Sequence, residues 1–175
     1  MTRWRPMATT LVCLAGLGLA AFLTWGHYFD QAAITKSCSA VEVSSVINCG
    51  AVTTSAESVI FGLPVALYGL VYFLVMLGLC LPRAWRSRSR LVAFARLAAS
   101  VVGMGFVLYL VAVEFLIVHH ICIYCTGVHL LEFALFLLVV TGWYDTGYAA
   151  ELAGDYDDEL EGGYGSGRSS AQAAG

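Results

Sequence analysis

Long apolar runs at residues 7–26, 61–81, 91–118 and 122–143 alternate with polar stretches of very different character. Wound as helices at ~1.5 Å per residue, runs of this length approach or exceed the ~30 Å hydrocarbon layer of a bilayer. The pattern predicts an all-α membrane protein, a bundle of four transmembrane helices. The stretch 27–60 is too polar to cross a membrane and too long for a hairpin turn, so it is expected to form an extracytoplasmic loop cap between helices 1 and 2, with a short helix around residues 41–47. The first run follows Arg3 and Arg5, but no small-x-small cleavage site precedes Trp25-Gly26-His27-Tyr28. It is therefore expected to stay as a helix rather than be removed as a signal peptide. Pro64 stands where a first helical turn tolerates proline, and the second run stops before Pro82. In the third run Gly103 and Gly105 would let a neighbouring helix come close. One membrane domain over residues 1–143 is expected, followed at 144–175 by an acidic, then Gly- and Ser-rich, disordered cytoplasmic tail.

Composition agrees with this reading. The chain has 175 residues, 59% of them hydrophobic and 12% charged, with a mean hydropathy of +0.79. Soluble domains carry about 25% charge. The formal net charge of −3 is unevenly spread, since Asp155, Asp157, Asp158, Glu159 and Glu161 crowd the tail, and nucleic acid is excluded as a partner. Of nine Lys and Arg residues, Arg3, Arg5, Arg83, Arg86, Arg88, Arg90 and Arg96 lie at the N-terminus or in and beside the loop after the second run; Lys36 alone lies in the 27–60 loop. The positive-inside rule then places both termini and the basic loop in the cytoplasm. Cys38, Cys49, Cys122 and Cys125 face outward, to the side where disulfides persist.

Two cysteines spaced as in Cys122-Ile123-Tyr124-Cys125 can close a disulfide across one helical turn, and a helix N-terminus favours the first thiolate. The same spacing also suits zinc or a structural staple. Cys38 and Cys49 form a second pair, expected to be mobile and exposed; Cys13, mid-run, is expected to be a packing residue. Cys125, His129 and Glu132 stand at i, i+4 and i+7 on one helix face, and ionisable groups within a span face the bundle or a cavity. His129 is thus within reach of a ligand stacked on Cys125. Glu132 can orient its imidazole or pass it a proton, and Glu114 on the third helix can face the same space. His119 and His120 read as interfacial residues. Together with Cys122 and Cys125 they supply a different reading, a metal-binding or transport protein.

Two loop cysteines, Ser55 six residues after the second, the opening Ile60-Phe61-Gly62-Leu63-Pro64 of a helix and a later CxxC at a helix's outer end together resemble the vitamin K epoxide reductase family over about residues 38–129. The resemblance is to bacterial quinone-linked disulfide oxidases without a fused thioredoxin domain. It implies a multi-pass protein of the bacterial inner membrane that reoxidises a separate DsbA-like thioredoxin-fold partner on the outer side. Electrons would go to a membrane quinone, menaquinone or ubiquinone. It further implies that Cys49 is attacked by the partner's thiol, that Cys38 exchanges with Cys122, and that Ser55 belongs to the quinone pocket; Cys125, one turn into the last helix, is the cysteine expected to face the quinone, and His129, a turn further on, is expected to hydrogen-bond its carbonyl. His129 stands where some relatives carry an aromatic hydroxyl. Reduction of a quinone epoxide is the neighbouring activity that the same resemblance admits.

Overall fold

The computed structural model describes residues 4–39, 47–87 and 89–145. The helix expected around 41–47 falls, apart from Ile47, outside these residues, and so does the tail beyond Asp145. Helices α1 (Trp4–Phe29), α6 (Arg90–Val113, prolonged by a π turn to Val118) and α7 (Ile123–Asp145) are long and apolar enough to cross a membrane. Helix α4 (Val65–Cys80) is apolar but has 16 residues. Its ~24 Å falls short of a full hydrocarbon thickness.

The shortening of α4 has a local cause. The expected run began at residue 61, but Phe61 and Gly62 both take left-handed backbone, with φ of 52° and 79°. Such a pair turns a hairpin. Strands β1 (Val59–Ile60) and β2 (Leu63–Pro64) accordingly pair antiparallel, Val59 opposite Pro64 and Ile60 opposite Leu63. Pro64, with no N–H to contribute, ends the hairpin and caps α4. The Tyr68 hydroxyl donates to the Ile60 carbonyl at 3.0 Å, holding the hairpin to the helix.

Helix α1 packs against α4 and α7, and α7 against α6. Cys13, Ala20, Phe73, Met76, Cys80, Leu135 and Val139 form the buried core. Leu11, Val71, Leu74, Leu108, Leu130 and Phe133 instead point outward and are exposed, an apolar belt that calls for lipid rather than water. At one end of the bundle the two described chain ends meet, Arg5 pairing with Asp145 at 2.7 Å. There the short α5 (Pro82–Arg86) inserts Trp85, whose Nε1–H donates to Thr9 Oγ1 at 3.2 Å. Arg96, counted above with the basic loop, is buried beneath it, its guanidinium 3.8 Å from the Trp85 ring centroid. It holds the bundle together there instead of facing the membrane surface. The cap, α2 (Gln31–Ser39) and α3 (Cys49–Thr53), lies at the opposite end with all four site cysteines.

Candidate redox site

The site begins where α6 ceases to be regular. The hydrophobic run to residue 118 predicts one continuous helix, but Glu114–Val118 widens into a π turn and stops at His119, in the left-handed conformation with φ of 57°. Single π turns of this kind mark functional sites. Its consequence is that the Glu114 carboxylate, buried, accepts the backbone N–H of Cys122 at 2.7 Å. His119 is exposed and serves the chain reversal, while His120 follows it into the turn. Among the described residues no three His, Cys, Asp or Glu side chains converge in a way that could hold a metal ion.

After the reversal Ile121 forms a parallel bridge with Ile47, and the Asn48 N–H donates to the Ile121 carbonyl at 3.1 Å. The Asn48 side chain then caps α3, accepting the Ala51 N–H at 2.9 Å. Cys49, first residue of α3, is thereby brought into one buried cluster with Leu23, Ile34, Cys38 and Cys122. Cys38 and Cys49 are joined by a disulfide, their Cα atoms 6.1 Å apart. The expectation of an exposed loop pair is corrected here: Cys38 and Cys49 are 1% and 0% exposed, because Ile34 and Ile47 give the polar loop an apolar underside that closes over them.

Cys122 and Cys125 are free thiols. Cys122 is the residue before α7 rather than its first helical residue, a correction to the expected span of 122–143. Its carbonyl accepts the Thr126 N–H at 2.9 Å, and its sulfur accepts the Cys125 N–H at 3.4 Å. A cap position exposes the sulfur to backbone donors that no helix carbonyl uses. The Cys125 thiol and the N–H groups of Cys125 and Tyr124 outweigh burial and hold the Cys122 thiol below the ordinary cysteine range. Cys122 is therefore the better nucleophile of the pair.

Below the cysteines lies a partly open cavity of about 300 Å³, lined by residues of α1, α4, α6, α7 and the cap. Apolar cavities of this size with a few convergent polar groups are typical small-molecule sites. It brings together Ser55, Glu114, Cys125, His129 and Glu132 from the residues singled out in the sequence; Cys38, Cys49 and Cys122 lie outside its lining. Ser55 is held in place by donating to the Val52 carbonyl at 2.9 Å. The expected link from Glu132 to His129 is not formed. Instead the Tyr72 hydroxyl of α4 donates to Glu132 Oε1 at 2.8 Å, while Oε2 is buried without a partner. Gly103 makes this possible, since a Cβ there would come within 2.5 Å of the Tyr72 oxygen and 2.7 Å of Glu132 Oε1. Sequence reasoning missed Tyr72. The available signal was its spacing from Tyr68, two polar-tipped rings one turn apart in an otherwise apolar helix.

A helical bundle with apolar, span-length helices that sets a capped CxxC dithiol between a buried disulfide and an apolar cavity has the features of a membrane oxidoreductase. The family is identified directly: the model of the vitamin K epoxide reductase family matches residues 7–140, and the chain belongs to that family. No curated protein matches the sequence.

Proposed function

We propose that this chain is a four-span quinone-linked disulfide oxidase of the bacterial cytoplasmic membrane, with both termini inside and the cysteines outside. It would serve disulfide formation by reoxidising a secreted, DsbA-like thioredoxin-fold protein. In this reading α4 is the second span, completed by the hairpin on one side and Leu81 on the other. The arginines at positions 3, 5, 83, 86, 88 and 90 set the orientation. Electrons enter when binding of the partner lifts the apolar underside of the cap and its thiolate attacks the buried Cys49, pass when Cys38 exchanges with Cys122, and leave from Cys125.

The observation that carries the proposal is the Ile47–Ile121 bridge, which gathers the loop disulfide and Cys122 into one buried cluster while Cys125 lines the cavity. The cavity residues suit a quinone. Its walls are apolar, Cys125 offers a sulfur, and His129 and Ser55 offer polar groups among the lining residues. When bound, the quinone accepts the electrons and protons released by the dithiol. Cys125 and His129 would hold it from α7 and Ser55 from the cap. Glu114, bonded to the Cys122 N–H, is placed to take up a thiol proton.

Replacing Cys49 tests the relay. Cys49→Ala is expected to reduce oxidation of a reduced thioredoxin-fold partner to the uncatalysed level. Quinone reduction by a small dithiol should persist, because small thiols can act on the Cys122–Cys125 disulfide directly. Equal loss with both reductants would refute a relay through the loop.

A further inference from the structure

The end of the bundle opposite the cap carries a block of positive charge. No Asp or Glu occurs between Glu57 and Glu114, and within that stretch stand Arg83, Arg86, Arg88 and Arg90. Helix α5 sorts its side chains by face. Trp85 turns inward onto Thr9 and Arg96, while Arg83 and Arg86, three positions apart on the other side, are exposed. Neither makes an ion pair with a described residue. Helix α7 ends at the same place. Asp145, its last residue, pairs with Arg5 at 2.7 Å, and the Trp85 ring lies so close to Gly142 that an added Cβ there would stand 2.6 Å from it. The chain therefore leaves the bundle at the foot of α5.

Beyond Asp145 the sequence brings Glu151, Asp155, Asp157, Asp158, Glu159 and Glu161, with no base before Arg168. The ten residues from Asp145 to Asp155 can reach ~33 Å when extended, more than enough to return from the last turn of α7 to the helix that touches it. Exposed ion pairs are individually weak and are screened by salt, but a tether holds two charge blocks at high effective concentration whatever surrounds them. We propose that residues 151–161 dock on the exposed arginines of α5 and on those that follow it, so that the chain covers its own basic face. Anionic lipid headgroups are the competing occupant of the same arginines. The acidic segment is favoured over them because it starts against α5 and brings six carboxylates to four guanidinium groups. So covered, the arginines are withheld from lipid phosphates, and the ends of α1, α5 and α7 are drawn together by charge as well as by packing.

The test follows digestion of the purified full chain in nanodiscs by a glutamate-specific protease, which cuts after Glu151, Glu159 and Glu161. In phosphatidylcholine discs the wild-type segment should be cut about fivefold more slowly than that of the Arg83→Gln/Arg86→Gln double variant, and the difference should vanish in about 0.5 M salt. An unchanged melting temperature shows that the variant is folded. A second measurement places the contact. Arg86→Lys keeps the charge and supplies an amine, which a zero-length carbodiimide should join to acids of residues 151–161. Lys36, the one lysine of the natural sequence, lies at the cap end and should stay unjoined to them. Protection should persist in discs that contain phosphatidylglycerol. Equal cleavage of wild type and folded double variant would overturn the docking. Protection that disappears once phosphatidylglycerol is present would overturn it too, and would assign the arginines to lipid headgroups.

Discussion

The two ends of the bundle each hold two free thiols, and they use cysteine in opposite ways. At the cap end Cys122 precedes the first turn of α7, next to a π turn and a parallel bridge. At the far end Cys13 of α1 and Cys80 of α4 belong to one apolar core cluster, both free and fully buried. Within a helix the backbone N–H groups are already engaged, so a thiol there finds only other side chains. Ahead of a helix the first N–H groups are unengaged and turn toward the sulfur. The same side chain is a packing residue in one setting and a nucleophile in the other, and the difference lies in the backbone. At the inert end even the polar groups are structural, Arg96 stacking on Trp85 and donating to the Leu79 carbonyl at 3.1 Å.

This contrast can be broken by substitution. The largest effect is expected at the cavity below the reactive pair: His129→Ala should lower quinone turnover ~10²-fold, the usual cost of losing a donor to developing charge. The Cys122–Cys125 disulfide should still form and exchange with the loop pair, as resolved by rapid mixing. Wild-type turnover in the folded variant would make the histidine a packing residue like Cys13.

A smaller effect concerns pH. Because the Cys122 thiol is held down by its hydrogen bonds, chiefly that from Cys125, the reduced protein should develop a thiolate with a midpoint lower than that of the unfolded chain. The folded value lies below the unfolded one, so the associated stabilisation is present above the ordinary cysteine range and is lost as pH falls through the folded midpoint. Exchange should slow over the same fall. Thiolate absorbance, compared with Cys122→Ser, measures it; a midpoint at or above the ordinary range would remove the distinction between the two ends. Smallest of all, Cys13→Ala combined with Cys80→Ala should cost about 2 kcal/mol in thermal stability and leave turnover per folded molecule unchanged.

The apolar runs, the CxxC and the shared face of Cys125, His129 and Glu132 were all legible in the sequence, because hydropathy and helical spacing determine them. What was hidden depends on backbone turns that hydropathy does not register. Residues 114–118 are as apolar as the helix before them except for Glu114, so nothing in the pattern shows that the helix widens there. Phe61 and Gly62 continue the apolar character of the second run and yet reverse the chain. Polar residues around Cys38 suggested exposure, whereas burial was decided by Ile34 and Ile47. Tyr72 was concealed by its ring, which fits an apolar span, while its hydroxyl serves Glu132.

The bridge between Ile47 and Ile121 also governs when the protein becomes competent during its synthesis. Its two halves belong to segments that emerge far apart in time, one soon after the first helix and the other just ahead of the last. A nascent chain that has formed the Cys38–Cys49 disulfide cannot yet gather it with Cys122, and no shorter product of translation contains the complete buried cluster. Addition of α7 is therefore the step that completes the buried cysteine cluster and its cavity.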